Sequence, residues 1–487
     1  MDLPASFIKY TRSLLGDEEY NKLAVAIQQE PPVSIRFNKL RMDSQLVPVP
    51  WASEGFYLDE RLTFTFDPLF HAGCYYVQEA SSMFVEQVLR QYVTEPVVML
   101  DLCAAPGGKS THARSVLPEG SLLVANEVIR NRSQILAENL TKWGHPDVVV
   151  TNNDPADFSS LPSFFDVILT DVPCSGEGMF RKDPVAVEEW SPENVEICWQ
   201  RQRRIIADIW PALKPGGILI YSTCTYNTRE DEENVCWIQQ EFGAEPLVLD
   251  ISEDWNITGN LLYKKSETPD MGGNSEQVAS VYHFFPHKTK GEGFFLAALR
   301  KPETEADTMP AFLSSKNKAA KKKDKKGGAI PSVVSKEHLN IVKSWLNEEK
   351  SHGYIVSVEG TKIQAFPQQY VEELAAMKQS LKIVLAGVGI GEVKGKDLIP
   401  DHALAMSSAL LRQGAFATED ITYEQAIAYL RKEAIALSAT APRGYILLTY
   451  RNIPLGFVKN IGNRANNLYP QEWRIRSGYL PDEIKTL

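Results

Sequence analysis

Two cysteines stand at matched points of this sequence, where Asp171-Val172-Pro173-Cys174 and Ser222-Thr223-Cys224 each close a short apolar run. A thiolate is a strong nucleophile, and its fraction depends on nearby positive charge. Two thiols at one edge suit covalent catalysis on an unreactive ring carbon. C5 of cytosine is such a carbon: it turns carbanion-like only when a nucleophile adds to C6, and can then attack a sulfonium methyl group. Elimination must afterwards remove the C5 proton and the thiol. One thiol to add, a second group for release and an acid to hold the base form a coherent set. Two further acids close earlier apolar runs. Glu127 is placed to hold two ribose hydroxyls, and Asp154 to accept a hydrogen bond from an adenine amino group. Any one of these residues is more often a cap, a turn residue or a core cysteine. Two cysteines and three acids at one edge are harder to ascribe to coincidence.

The element that organises them is the stretch 97–111. An apolar run of strand length leads into Cys103-Ala104-Ala105-Pro106-Gly107-Gly108-Lys109, and from Ser110 no breaker intervenes before Pro118. Strand, glycine turn and helix open a nucleotide-binding α/β unit, with helix N–H groups facing the ligand. The turn is neither G-x-G-x-x-G nor a P-loop, because Cys103 stands where the first P-loop glycine belongs. Strands are expected over 121–125, 147–150, 165–171 and 218–223. Helices are expected over 128–143, with Ile135, Leu136 and Leu140 on one face, and over 230–242. A third starts at an N-cap Ser191 with Pro192 behind it. Its apolar stripe is Cys198, Ile205, Ile206, Ile209 and Leu213, and Lys214-Pro215-Gly216-Gly217 stops it. Segments 281–285 and 294–299 read as a closing antiparallel hairpin. The alternation implies an α/β fold: a mostly parallel sheet, helices on both faces and ligands at the strands' carboxyl ends.

Residues 1–95 form a first module, with one or two helices over 7–27, a strand over 32–38 and a helix over 80–91. Gln78 and Glu79 fit exposed polar residues ahead of that helix as well as they fit a function. The segment 179–184, with Arg181 and Lys182, lies beside Cys174, where it could touch RNA phosphates or be a solvated loop. Trp190 and Trp199 read as packing residues.

At 487 residues the chain is expected to hold two or three domains. The N-terminus lacks the basic and apolar regions of a signal peptide, and no run approaches about 18 apolar residues. Six cysteines without paired C-x-x-C spacing make neither a disulfide framework nor a zinc site. Reduced thiols, a cytoplasmic location and no metal are expected. The net charge of −11 is unevenly spread. Residues 1–300 carry 25 Lys+Arg against 42 Asp+Glu, and residues 301–487 carry 26 against 20. A basic tail on an acidic body invites a nucleic-acid partner, a solvated surface being the alternative. Residues 302–331, crowded with lysines, read as a flexible linker. Residues 332–487 are globular again, with a strand over 381–385, a helix opening at Pro400-Asp401-His402 and a hairpin over 445–459. His402 reads as structural.

The motifs together resemble those of the Sun-type RNA cytosine-5 methyltransferases. They are the 101–109 loop, Asp171-Val172-Pro173-Cys174-Ser175-Gly176, Ser222-Thr223-Cys224-Thr225 with Glu233-Asn234, and the N-terminal segments 34–38 and 76–82. The resemblance covers residues 1–301 and implies a Rossmann-like methyltransferase using S-adenosylmethionine. Its cofactor site would comprise Cys103, Ala104, Ala105, Pro106, Gly107, Gly108, Lys109, Glu127, Arg132, Asp154 and Asp171. Catalysis would fall to Cys224 as nucleophile, Cys174 for release, Asp171 and Lys109. DNA cytosine methyltransferases use the Pro-Cys thiol as nucleophile, so the assignment of roles rests on the resemblance. The C-terminal region resembles that of bacterial RsmF-like 16S ribosomal RNA methyltransferases, including a PUA-like RNA-binding module. The expected organisation is 1–95 N-terminal RNA-binding module, 96–301 catalytic domain, 302–331 linker and 332–487 C-terminal RNA-binding region. The expected partner is RNA, 16S rRNA or the small ribosomal subunit, bound by a monomer without a membrane. Transfer RNA as substrate, or a non-catalytic ribosome-assembly factor, are the alternatives.

Overall fold

The computed structural model describes residues 2–38, 46–262, 280–303, 334–407, 409–478 and 483–487; the expected linker from residue 304 onward lies outside them. The N-terminal module begins with helices α1 (Ala5–Leu15) and α2 (Asp17–Ile27). A small antiparallel sheet follows, in the order β2 (Val47–Pro48), β3 (Gly55–Leu58), β1 (Val33–Phe37), β4 (Tyr75–Val77). The short α3 (Pro68–His71) and α4 (Val85–Tyr92) complete the module.

Five central strands of the next sheet are parallel: β5 (Val98–Asp101), β6 (Leu122–Asn126), β7 (Val148–Thr151), β8 (Phe165–Asp171) and β9 (Leu213–Thr223). They lie in the order β9-β8-β5-β6-β7. The chain therefore runs outward from β5 through β6 to β7, returns, and lays β8 and β9 on the other side. The gap between β5 and β8 is the switch point where such sheets bind ligands. Antiparallel strands extend both edges. Beyond β9 lies β12 (Phe294–Arg300), paired with β10 (Glu245–Pro246) and β11 (Val281–Phe284).

Alternation along the strands sends side chains to two cores. Met99, Leu123, Val167 and Ile220 pack with α4, α5 (Gly108–Val116) and α6 (Arg130–Trp143). Leu100, Val124, Ile168 and Tyr221 face α8 (Pro192–Ile209) and α9 (Glu232–Phe242), which follow the short α7 (Pro184–Glu189). Two expectations need correction. Ile135 does not share the buried face of α6: it is 48% exposed, while Leu136 and Leu140 are buried. Leu213 and Lys214-Pro215-Gly216-Gly217 belong to β9 rather than to the end of a helix. Ser191 caps α8 as read, accepting from Asn194 N at 3.1 Å, but α8 stops at Ile209 and Pro211 sits in the turn that follows. Leu213 then pairs with Phe165, and Lys214 bonds Asp166 at 2.7 Å across the strands.

The C-terminal region is not set apart from this body. A helix over Val371–Ser380 puts Leu374 and Met377 into the second core. The strand after it, Ile383–Ala386, pairs antiparallel with β7 and closes that edge of the catalytic sheet. Two four-stranded sheets make up the rest. Of these, the one formed by Ala417–Asp420, Gly444–Tyr450, Ile453–Asn460 and Ala465–Asn467 shares a core with the N-terminal module. Ile35, Phe37 and Tyr75 meet Ile427, Tyr429 and Tyr469 there. His402 is structural, packed edge-on against Tyr469 and Trp473 at 5.2 Å. No helix among the described residues is long and apolar enough to cross a membrane.

Candidate active site

A cavity of about 320 Å³ opens at the switch point. Asp101 closes β5 and is fully buried; Ser110 donates to its Oδ2 at 2.6 Å, and its Oδ1 has no hydrogen-bond partner. Burial first, then the negative charges of Asp171 and Glu127, push its pKa up to about 7. The following loop is threaded between neighbouring strand ends, Leu102 N to Leu169 O and Ala104 N to Asn126 O, both at 2.9 Å. Gly107 ends it with φ +119°, a left-handed conformation that favours glycine and delivers the chain into α5. Arg132 braces the loop from α6, donating to Ala105 O at 2.8 Å and reaching Glu127 Oε2 at 3.4 Å.

The thiols come from adjacent strands. Asp171 of β8 is in register with Ser222 of β9, so Cys174 and Cys224, just beyond, are brought together. Their sulfurs lie 3.1 Å apart, and Cys224 N donates to Cys174 Sγ at 3.3 Å. A disulfide would need about 2.05 Å, and all six cysteines are free. Cys224 lines the cavity and Cys174 does not, though both are half-buried. The hydrogen bond to Cys224, then burial, hold the Cys174 thiol well above its ordinary pKa. Cys103 lines the cavity too, but burial pushes its thiol up as well. Lys109 Nζ bonds Asp171 Oδ2 at 2.8 Å. Burial works against its charge, but the Asp171 carboxylate and the nearby Cys224 outweigh it, and its pKa is raised. Ser222 holds the other Asp171 oxygen at 2.8 Å.

Among the residues expected from sequence, Cys103, Ala104, Ala105, Pro106, Gly108, Lys109, Asp171 and Cys224 line this one cavity. Gly107, Glu127, Arg132, Asp154 and Cys174 do not line it. Glu127 is 3% exposed and accepts from Ile129 N at 2.8 Å. Asp154 caps a short turn, Pro155–Ser160, by accepting from Ala156 N.

Other wall residues carry no role in the sequence reading. Gln78 is buried and receives Arg36 Nε at 2.9 Å. Glu79 accepts from Ser81 N and Ser82 N at 2.8 Å and from Glu292 N at 3.0 Å, tying the start of β12 to the N-terminal module. Both line the cavity, with Tyr76, Asp101, Met179, Lys182 and Phe294. Lys182 pairs with Glu292, and Arg181 donates to Gly291 O at 2.7 Å, so these cations have internal partners. Gly178 donates to Cys224 O at 2.9 Å; a Cβ there would lie 3.0 Å from that oxygen and 2.8 Å from Gly293 O. The Gly176-Glu177-Gly178 spacing after the first thiol was the available signal for this close approach. Trp190 packs as read, donating to the buried Glu177 at 3.0 Å. Trp199 lies between the guanidinium groups of Arg203 and Arg229, 3.9 and 3.7 Å from its ring centre.

Three family models match in chain order. The N-terminal domain of 16S rRNA methyltransferase RsmF matches residues 3–80, 16S rRNA methyltransferase RsmB/F matches 88–300, and the methyltransferase RsmF PUA domain matches 417–475. The chain is similar to ribosomal RNA small subunit methyltransferase F of Klebsiella pneumoniae (strain 342), 29% identical over 98% of this chain and 97% of that one. The protein of the same name from Escherichia coli O9:H4 (strain HS) is 28% identical over the same shares. Among solved structures, a methyltransferase homolog protein from Pyrococcus horikoshii aligns over 61% of this chain and 94% of its own, with a TM-score of 0.50 and 28% identity. NSun6 from the same organism, solved with SFG, aligns over 62% and 99% at a TM-score of 0.50 and 22% identity, a likeness of fold. With its segments matched in order and its relatives matched nearly end to end, this chain belongs to the RsmF-type family of 16S rRNA methyltransferases.

Proposed function

We propose that this chain methylates C5 of cytosine in 16S rRNA or the small ribosomal subunit, through a covalent Cys224–C6 adduct. The observation that carries the reading is the paired thiols at adjacent strand ends, 3.1 Å apart, with Cys224 in the cavity wall. The cavity suits S-adenosylmethionine. Asp101 offers an unpartnered buried oxygen, and Asp171 adds a second acid beside it, an environment favourable to a sulfonium cation. The 103–109 loop, Glu127, Arg132, Asp154 and Asp171 would hold it, and when bound it supplies an electrophilic methyl group.

The chain's own residues account for the rest. Cys224 adds as thiolate to C6, with the Lys109 ammonium close enough to interact with it. Asp171, fixed by Lys109 and Ser222, holds the base. Once Cys224 is bonded to carbon, the hydrogen bond that does most to raise the Cys174 thiol's pKa is gone. Cys174 then loses its proton to solvent and accepts the C5 proton. The C6–Sγ bond breaks, and Cys224 returns as thiolate. Two thiols leave no step of this transfer for a metal to perform. We read the protein as a cytoplasmic monomer; its own strand Ile383–Ala386 covers the β7 edge of the catalytic sheet.

Bisulfite sequencing of ribosomal and transfer RNA from a deletion strain is expected to show loss of 5-methylcytosine in 16S rRNA. Loss confined to transfer RNA would move the substrate. On the cofactor side, Glu127→Ala is expected to weaken S-adenosylmethionine binding by about 1.5–3 kcal/mol, as for a charge-assisted hydrogen bond. Isothermal titration measures it; unchanged affinity would place the ribose contact elsewhere.

A further inference from the structure

Next to the strand that presents Cys224, three polar residues converge in a fully buried place. Asp231 precedes α9, Glu232 is its first residue, and His283 stands on β11; each is at most 1% exposed. One side of each is accounted for. Asp231 Oδ1 accepts from Thr223 Oγ1 at 2.6 Å, and Glu232 Oε1 accepts from Leu261 N at 2.8 Å and is 2.9 Å from His283 Nε2. The other side is not: Asp231 Oδ2, Glu232 Oε2 and His283 Nδ1 have no hydrogen-bond partner.

The three residues can each offer one ligand atom such that all lie within 4.8 Å of one another. His283 Nδ1 and Asp231 Oδ2 are 4.0 Å apart. That is too long for a hydrogen bond; a tetrahedral cation with bonds of about 2.1 Å would draw the two atoms in to about 3.4 Å. Donation of Nε2–H to Glu232 fixes the tautomer that leaves a lone pair on Nδ1, as in the outer shell of histidine metal sites. Charge points the same way. Two carboxylates are removed from water here, and among the described residues no lysine or arginine pairs with either; their one basic neighbour is His283. Uncompensated charge in such a place is costly.

We propose that Asp231, Glu232 and His283 bind a divalent transition-metal cation of the zinc or manganese class. Two carboxylates and one imidazole suit these ions. The site is structural. Asp231 also holds Thr223, the residue before Cys224, so the cation would pin the end of β9 to α9 and β11 and so set where the nucleophile stands. The inference goes beyond the methyl-transfer reading and does not depend on it.

The test uses the full chain carrying Cys174→Ser and Cys224→Ser, so that the paired thiols cannot take up metal themselves. After stripping with a chelator, the protein is loaded separately with Zn2+ and Mn2+ and desalted, and retained metal is measured by plasma mass spectrometry. About one equivalent of one of these ions should stay bound, with a rise in melting temperature. Asp231→Asn and His283→Gln should each weaken binding by about tenfold or more. A stripped protein that keeps its circular dichroism and retains neither ion overturns the proposal. So does metal held equally by both variants. Should a variant fail to fold, Co2+ absorption of the protein lacking the two thiols decides: visible bands that Zn2+ abolishes at about one equivalent support the site, and no bound-cobalt spectrum refutes it.

Discussion

Replacing Cys174 with alanine is expected to trap RNA on the protein as an adduct stable to denaturing electrophoresis, formed only when S-adenosylmethionine is supplied. Cys224→Ala should form no adduct and lose turnover by about 10⁴-fold or more, the scale of removing a covalent nucleophile. The geometry separates the roles. Cys224 lines the cavity, while Cys174 does not and has its sulfur 3.1 Å from that of Cys224. Without Cys174 addition and methylation still proceed, but the C5 proton has no acceptor and the C6–Sγ bond cannot break. The double variant should be free of adduct, because nothing remains to form the bond. An adduct on Cys224→Ala and none on Cys174→Ala would reverse the two roles. Retained turnover in both would end the covalent mechanism.

Ending the chain at residue 301 is expected to yield a fragment that aggregates or fails to melt cooperatively. The sequence alone suggests the opposite, that a basic tail could be removed while cofactor binding survived. The packing argues against that expectation. Phe366, Leu374, Met377, Leu381 and Ala386 lie in the core under the catalytic sheet, and Ile383–Ala386 covers the edge of β7. Burying a large apolar side chain contributes roughly 1.5–3 kcal/mol, so losing several rivals the roughly 5–15 kcal/mol that holds a domain folded. An uncovered edge strand also invites aggregation. Size-exclusion chromatography and thermal melts of the fragment test this. A monomer melting within a few degrees of the full chain would show the C-terminal region to be dispensable to the fold.

What the sequence disclosed was mostly local. Short apolar runs ending in Asp101, Asp171 or Thr223, and a glycine-bearing turn ahead of α5, place the chemistry at the strand ends without knowledge of the fold. Long-range pairing left no such trace. Nothing near Ile383 indicates that it will lie beside Thr151, more than two hundred residues earlier. Lys214-Pro215-Gly216-Gly217 reads as a stop because proline and glycine usually interrupt helices, yet the residues start β9. Arg36 reads as an ordinary residue of an alternating strand. It is fully buried, 4.4 Å from the Trp143 ring and bonded to Gln78 and Thr111. Asp231, Glu232 and His283 were invisible as a set because β11 closes on α9 only in three dimensions.

The central claim is substitution at C5 of cytosine, and release of the C5 hydrogen tests it most directly. Small ribosomal subunits carrying 16S rRNA labelled with tritium at cytosine C5 would be incubated with the protein and S-adenosylmethionine bearing a ¹⁴C methyl group. Tritium should appear in water in step with ¹⁴C entering the RNA, and Cys224→Ala should release none. Methyl incorporation with no tritium released would contradict the account, because the methyl group would then have gone to another atom.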